Sequence, residues 1–208
     1  MTETRPVVFI IDDDEMVREA VADLLRSVGV EPRAFGSTQA FLDSKRPDAP
    51  GCIILDVRLP GASGLEVQRN LTDLGIPLPV IFISGHGDIP MSVRAMKSGA
   101  IEFLTKPLHE QDLLDAVQLG IERDRARRQR AASAAELRQR FASLTARERE
   151  VFLLVITGRP NKQLAAELEL SEVTVKAHRS QVMHKMRAQS LVDLVRMADM
   201  LGTSPPER

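Results

Sequence analysis

Five short apolar runs, each followed by a helical pattern, limit what the first 120 residues can fold into. The runs cover residues 7–11, 30–35, 52–55, 80–83 and 100–104, and the second is the weakest. The stretches between them repeat apolar residues at the spacing of an amphipathic helix. Near-continuous apolar strands that alternate with helices are typical of a parallel sheet covered on both faces. The sequence therefore predicts an α/β fold with a doubly wound (βα)5 sheet.

Capping residues place the ends of the predicted helices in this half. Ser37 and Asp88 stand at N-cap positions, where a side-chain oxygen accepts a backbone N–H. Three glycines stand just past predicted helix ends, where a left-handed residue is favoured: Gly29, Gly75 and Gly99. The helices are predicted over residues 15–27, 38–46, 65–74, 89–98 and from 111 onward.

A long helix is predicted to connect this half to a second domain, since residues 121–157 contain neither Pro nor Gly. The arginines of residues 123–130 are interpreted as a solvated helical face, because acidic residues at 122, 124 and 136 interrupt the run. Contact of these arginines with nucleic acid is the alternative. The predicted domains are residues 1–120, a helical linker at 121–142, and residues 143–208.

The C-terminal part reads as a small all-α domain of four short helices. Thr145 and Glu148 form a capping-box pattern, and Ser171 and Ser190 stand at two further N-cap positions. The predicted helices cover residues 146–157, 161–168, 172–187 and 191–201.

The charge of the two halves has opposite sign. Residues 1–120 hold 11 Lys and Arg against 18 Asp and Glu, a net of −7, whereas residues 121–208 hold 17 against 11, a net of +6. An acidic half joined to a basic half fits metal or phosphate chemistry linked to nucleic-acid binding. Two ordinary domains of uneven charge would give the same counts.

Cysteine content and hydropathy exclude several classes of protein. The single cysteine, Cys52, lies in an apolar run and is expected to be a buried core thiol, so neither an intrachain disulfide nor a zinc cluster is expected. The N-terminal residues lack a signal-peptide pattern, and no apolar run approaches the roughly 20 residues that span a bilayer. A cytoplasmic location without membrane partners is expected.

Chemically active residues stand where the predicted strands end. Asp12 and Asp13 follow the first run, Asp56 ends the third, Ser84 ends the fourth and Lys106 follows the fifth. In parallel sheets the functional site lies at the carboxyl ends of the strands, so these side chains are expected to meet. Three carboxylates from two strand ends can hold one hard cation. Asp14, next to the pair, is expected to favour the N-terminus of the first helix and not to bind metal.

This ordered set resembles the pocket of the response-regulator receiver family, and the segment 84–100 is similar to its FixJ subgroup. The resemblance covers nearly all of residues 6–120 and implies a flavodoxin-like receiver with a Mg²⁺ cofactor. By it, Asp56 is the phosphoacceptor. The resemblance assigns the metal ligands to Asp12, Asp13, Asp56 and the backbone carbonyl of Arg58, the switch to Ser84 and Phe103, and phosphate contact to Lys106. Leu108 departs from the phenylalanine common after Lys-Pro, which affects local packing only.

Two further expectations come from this pocket. The Lys106–Pro107 peptide is expected to be cis, by resemblance and because the lysine must turn back into the pocket. His86 is expected to face solvent from a loop, and an effect on hydrolysis of the phosphoryl bond is the alternative.

Residues 143–201 resemble the LuxR-type (NarL/FixJ) helix-turn-helix domain. The motifs are the segments 144–151, 161–165 and 171–178. In the predicted helix 172–187, Val175, Val182 and Met186 share one face at about 100° per residue, so the opposite face should enter a major groove. Predicted DNA contacts are Thr174, Lys176, Ala177, Arg179, Ser180, Gln181 and His184. A plain helical bundle with a solvated face is the alternative that the pattern alone leaves open.

The two resemblances together imply a DNA-binding transcriptional response regulator that is not a multiple-turnover enzyme. A sensor histidine kinase would phosphorylate Asp56, and receivers would then pair through residues 88–104 and present two reading helices to promoter DNA. RNA polymerase is a further candidate partner. Helix 190–201 is a candidate second dimer contact, or equally intrachain core. The alternatives are a phosphotransfer or phosphatase enzyme with a C-terminal docking module, and a constitutive DNA-binding protein with a vestigial pocket.

Overall fold

The computed structural model describes residues 4–60, 62–85 and 89–203. The chain divides into two compact units, Met1–Arg128 and Gln129–Arg208. Within the described residues, no helix is both long and apolar enough to span a membrane.

The first unit is the predicted doubly wound sheet. Its main elements are β1 Val7–Ile11, α1 Glu15–Ser27, β2 Glu31–Phe35, α2 Thr38–Asp43, β3 Gly51–Asp56, α3 Gly64–Asp73, β6 Val80–Ser84, α4 Ile89–Lys97, β7 Glu102–Thr105 and the first part of α5 Glu110–Ala142. These five strands are all parallel and lie in the order β2-β1-β3-β6-β7. Two more strands, β4 Arg58–Leu59 and β5 Ala62–Ser63, form an antiparallel pair that the sequence did not predict, because each has only two residues.

Both faces of the sheet are covered, as the apolar strands predict. Alternate residues of β1 point to opposite faces, so Phe9 and Ile11 join the core under α2, α3 and α4, while Val8 and Ile10 join the core under α1 and α5. The strands β1, β3 and β6 are buried along their whole length. The carboxyl ends of these three neighbouring strands therefore lie side by side at one edge of the sheet.

Most predicted helix ends in this unit are confirmed. The Ser37 hydroxyl accepts the N–H of Ala40, and Asp14 caps α1 by accepting the N–H groups of Met16 and Val17. Gly29, Gly75 and Gly99 have φ of 79°, 67° and 88°, the left-handed region that glycine adopts without strain. The predicted cap Asp88 and the loop residue His86 lie outside the described residues.

Cys52 is a buried core thiol, as predicted. It is fully buried in β3 beneath α5, and burial raises the pKa of its thiol. A Cβ atom on Gly120 would lie 2.8 Å from the Cβ of Cys52. This close approach requires a glycine in α5 and holds the helix tightly against β3.

The predicted solvated face is wrong for Asp124, which is buried, whereas Arg127 and Arg128 are partly exposed and paired with it. Asp124 is 0% exposed and accepts hydrogen bonds from both arginines, with Nε distances of 2.9 Å from Arg127 and 2.7 Å from Arg128. It also accepts the backbone N–H of Gly51 at 3.1 Å, and Arg128 further pairs with Asp48. The Asp124 carboxylate can be buried because two partly exposed arginines neutralise it, and its bond to Gly51 attaches α5 to the first residue of β3.

The second unit contains the four short helices that the sequence predicts. They are α6 Ala146–Val155, α7 Asn161–Glu167, α8 Glu172–Met186 and α9 Leu191–Leu201. Capping boxes begin α6 at Thr145 and α9 at Ser190. The end of α5 adds Leu137 to this core, and the Phe141 ring packs edge-on against Phe152 at 5.3 Å.

Candidate functional site

The residues singled out by the sequence meet at the carboxyl edge of the main sheet. Asp12 directly follows β1, Asp56 is the last residue of β3, Ser84 is the last residue of β6, and Lys106 directly follows β7. These four strands are neighbours in the sheet, and all point the same way. The parallel topology therefore brings together residues that are up to 94 positions apart in the chain.

Three carboxylates form the acidic part of this edge. Asp12, Asp13 and Asp56 each offer an oxygen, and the three oxygens lie within 4.8 Å of one another. Asp12 and Asp56 are buried, whereas Asp13 is exposed. A group of anionic oxygens with one open side fits a hard divalent cation that keeps several waters.

Lys106 bridges the two buried carboxylates. Its Nζ donates to Asp12 Oδ2 and to Asp56 Oδ2, both at 2.6 Å. The other oxygen of Asp56 accepts the backbone N–H of Arg58 at 2.7 Å. Both Asp56 oxygens are thus held in defined directions at the mouth of the sheet.

Burial and the neighbouring charges in this cluster shift the pKa values of two groups. Burial raises the pKa of Asp12 above that of an ordinary aspartate, although the Lys106 ammonium and the Asp14 N–H act in the other direction. Burial alone would lower the pKa of Lys106, but its bonds to Asp12 and Asp56 outweigh that effect and raise it. Lys106 therefore stays protonated and is a fixed positive charge beside Asp56.

The backbone around Lys106 turns as predicted. The Lys106–Pro107 peptide is cis, which confirms the prediction, and the Lys106 N–H donates to the Ser84 carbonyl at 2.8 Å. Ser84 is fully buried at the end of β6. Phe103 is half-buried in β7, in register with Phe82, and packs against the core under α2, α3 and α4.

A second candidate site lies on α8. Val175, Val182 and Met186 are fully buried in the core of the second unit, as the helical spacing predicts. The predicted contacts Lys176, Ala177, Ser180, Gln181 and His184 are all exposed. They form one solvent-facing side of the helix, which we call the reading face.

Two residues of the predicted DNA-contact set are half-buried and have partners within the domain. The Arg179 guanidinium donates to Asn161 Oδ1 at 3.0 Å, and the Thr174 hydroxyl lies 2.8 Å from the Ser171 hydroxyl. Their side chains are therefore less accessible than those of the reading face.

An ion pair that the sequence analysis missed connects α8 to α6. Lys185 donates to the buried carboxylate of Glu148 at 2.6 Å, and this bond, with the Thr145 N–H, lowers the pKa of Glu148. Glu148 was assigned only its capping-box role. The second partner is 37 positions away, so no local pattern reveals it.

Two protein families match the two units. Residues 8–118 match the response regulator receiver domain, and residues 142–198 match the luxR family of bacterial regulatory proteins. The fold and the acidic edge thus define the first unit as a receiver domain, which implies a histidine kinase partner, and the second unit as a helix-turn-helix DNA-binding domain.

Several relatives match along nearly the whole chain, and the matches extend across both units. Nodulation protein W of Bradyrhizobium diazoefficiens is 54% identical over 201 residues, covering 97% of this chain and 88% of that protein. The transcriptional regulatory protein FixJ of Azorhizobium caulinodans is 42% identical over 207 residues, covering 100% of this chain and 98% of that protein. The solved response regulator StyR has a TM-score of 0.85 at 49% identity, covering 94% of this chain and 99% of that chain. The chain belongs to the FixJ-like response regulators with a LuxR-type helix-turn-helix, and it is a transcriptional response regulator.

Proposed function

We propose that Asp56 accepts a phosphoryl group from a sensor histidine kinase, and that this phosphorylation controls promoter binding through α8. The observation that carries the proposal is the position of Asp56. Its carboxylate lies beside the acidic pair Asp12 and Asp13 and is held at 2.6 Å by Lys106. A nucleophile, a cation-binding group and a fixed positive charge are what phosphoryl transfer requires.

In the proposed transfer, an Asp56 oxygen attacks the phosphorus of a phosphohistidine on the kinase. The P–N bond breaks, the histidine leaves with the electron pair, and an acyl phosphate remains on Asp56. Mg²⁺, when bound, neutralises charge on the phosphoryl oxygens. Its ligands would be Asp12, Asp13, Asp56 and the Arg58 carbonyl, and the oxygen-only donor set fits this ion. Because each molecule labels its own Asp56, the protein is not a multiple-turnover enzyme.

Lys106 and Ser84 are proposed to respond to the new phosphoryl group. The Lys106 ammonium would exchange its bond to the Asp56 carboxylate for a bond to one phosphoryl oxygen. The Ser84 hydroxyl would donate a hydrogen bond to a second phosphoryl oxygen. Phe103 lies two residues before the end of β7, so its half-buried ring would follow the displacement. Only a difference in stability between the two receiver states can transmit the signal.

Exposed apolar residues support receiver pairing through the predicted surface 88–104. Ile89 is 80% exposed, and Val93 and Met96 are each 44% exposed, all on α4. On α9, Val192 is 57% exposed and Met200 is 62% exposed, which supports a second dimer contact between DNA-binding domains. A two-fold dimer would present two copies of α8 to a two-fold operator. RNA polymerase stays a candidate partner, and the DNA-binding role supports a cytoplasmic location.

The function is tested by selecting DNA with the phosphorylated protein. Protein treated with Mg²⁺ and a small phosphodonor is expected to retain specific genomic fragments, with an affinity that falls steeply as salt increases. Untreated protein should retain fewer of them. If the protein transfers or releases phosphate over many turnovers but shows no salt-dependent DNA binding, the enzyme alternative is favoured. If it binds DNA equally with and without phosphodonor, the alternative of a constitutive DNA-binding protein is favoured.

Asp13→Asn is expected to weaken Mg²⁺ binding, because a hard cation loses an anionic oxygen. We expect the dissociation constant to rise by more than about tenfold, since even loss of a ligand's supporting partner costs about that much. Isothermal titration calorimetry measures it. Asp14→Asn is the matched control, because it removes the same charge one residue away and asparagine still caps α1. An equal loss of affinity in both variants would show a general charge effect, not a ligand.

Lys176→Ala is expected to weaken operator binding by about 1–3 kcal/mol if the lysine reads a base edge. If it contacts only phosphate, binding to specific and random DNA should weaken alike, and the salt slope should fall by about one unit. Binding curves on both duplexes at several salt concentrations distinguish these cases. Arg125→Ala, an exposed charge on α5, is the control and should leave sequence preference unchanged. Unchanged affinity of Lys176→Ala for both duplexes would show that α8 does not enter the groove.

A further inference from the structure

We infer that Arg18 is a positioning residue that holds the acidic turn at residues 12–14, and with it Asp13, in the geometry that binds a divalent cation. The inference rests on the proposed function, because it concerns the same acidic edge. No motif in the sequence marks Arg18. Arg18 lies one turn into α1, four residues after the helix cap Asp14.

The Arg18 guanidinium holds the backbone of both acidic residues. A single nitrogen, Nη1, donates to the Asp12 carbonyl at 2.8 Å and to the Asp13 carbonyl at 2.9 Å. The side chain is half-buried, and its end packs near Gly36, where a Cβ atom would lie 3.6 Å from Nη1. Two successive carbonyls bound to one nitrogen fix the orientation of two successive peptide planes.

The carboxylates of Asp12 and Asp13 are held in different ways. Asp12 accepts the Asp14 N–H at 2.9 Å and the Lys106 ammonium at 2.6 Å, so its own bonds place it. Among the residues that the structure describes, the exposed Asp13 carboxylate forms no hydrogen bond or ion pair. Its direction is therefore set by the backbone that carries it. Arg18 donates to that backbone, so Asp13 is the metal ligand that depends on Arg18.

The charge of Arg18 acts against this positioning effect. A guanidinium near a divalent cation repels it, so removal of the charge alone would tighten metal binding. Solvent and salt screen this repulsion, because the side chain is half-exposed. Correct placement of an anionic ligand is worth more, and loss of groups that orient metal ligands typically costs 10–100-fold in affinity. The two effects predict opposite signs, so one measurement separates them.

The test is a Mg²⁺ titration of the full-length protein by calorimetry, since the chain has no Trp or Tyr to report binding by fluorescence. We expect Arg18→Met to raise the Mg²⁺ dissociation constant about tenfold. Arg18→Lys keeps the charge and can donate from one nitrogen to both carbonyls. Its Mg²⁺ dissociation constant should therefore lie between those of the wild type and Arg18→Met. Arg26→Met is the matched control, because Arg26 lies on the same helix and, among the described residues, its side chain pairs only with the exposed Asp23. It should bind Mg²⁺ like the wild type.

Two further readouts separate positioning from loss of structure. The melting temperature without metal should be nearly unchanged in Arg18→Lys, while its gain with added Mg²⁺ should shrink. In phosphodonor labelling, the Mg²⁺ concentration that gives half-maximal rate should rise. The phosphodonor concentration that gives half-maximal rate at saturating Mg²⁺ should stay unchanged. If Arg18→Met does not fold, the affinity of Arg18→Lys alone decides the question.

The outcomes also separate this inference from the proposed function. Wild-type protein that binds no Mg²⁺ and labels no Asp56 would overturn both. Wild-type protein that binds Mg²⁺ and is labelled, together with Arg18 variants of equal or tighter affinity, would overturn the positioning role alone.

Discussion

Asp56→Asn is expected to abolish labelling by a small phosphodonor in the presence of Mg²⁺. The asparagine amide keeps the size of the side chain and can still accept the Arg58 N–H, but it has no anionic oxygen to attack phosphorus. It also removes one of the two carboxylates that Lys106 bridges at 2.6 Å. Intact-mass spectrometry should show one added phosphate on the wild type and none on the variant.

The matched control for this result is Asp73→Asn. Asp73 is an exposed carboxylate at the end of α3, away from the carboxyl edge of the sheet, so its loss should leave labelling complete. Circular dichroism should show that both variants fold. Full labelling of Asp56→Asn would mean that another residue is the phosphoacceptor, and the proposed mechanism would be wrong.

Asp124→Ala is expected to lower the free energy of unfolding by about 3 kcal/mol. The change would leave the buried N–H of Gly51 without its acceptor and would deprive Arg127 and Arg128 of their shared carboxylate. This loss is at the lower end of the range for broken buried pairs, because both arginines are partly exposed and can reach water. Urea denaturation followed by circular dichroism measures the effect.

Two variants on the same helix sharpen this measurement. Glu122→Ala removes an exposed carboxylate two residues away and should change stability by less than about 0.5 kcal/mol. Asp124→Asn keeps one oxygen acceptor for Gly51, so its free energy of unfolding should lie between those of the wild type and Asp124→Ala. Because the chain contains two units, only the transition of the receiver domain should shift. Equal stability of Asp124→Ala and Glu122→Ala would show that the buried cluster contributes nothing.

The long helix α5 supplies residues to both units. Residues 124–128 belong to the contacts of the receiver domain, whereas Leu137 lies in the core of the second unit. The predicted linker, residues 121–142, therefore includes residues that each domain uses for its own packing. Its assignment as a connector stays a prediction, as do the limits of the two predicted domains.

Local sequence patterns were sufficient for the secondary-structure elements and for the acidic site at the carboxyl edge of the sheet. Apolar runs and caps predicted the five main strands and most helix ends to within a few residues, since strand burial and capping are short-range properties. They also placed Asp12, Asp13, Asp56, Ser84 and Lys106 at strand ends. Parallel strands share one carboxyl edge whatever their order, so the pocket followed without knowledge of the topology.

Contacts between distant residues were decided by the tertiary structure alone. The bond of Lys106 to Asp12, the bond of Gly51 to Asp124 and the Lys185–Glu148 pair join residues 94, 73 and 37 positions apart. The strand order is likewise a property of the folded sheet. A charged residue looks the same in sequence whether it faces water or a buried partner. The chain by itself thus determined which elements form and which side chains meet at the carboxyl edge of the sheet. Only packing decided which charges are buried and paired, because burial must be balanced by a partner that no local pattern specifies.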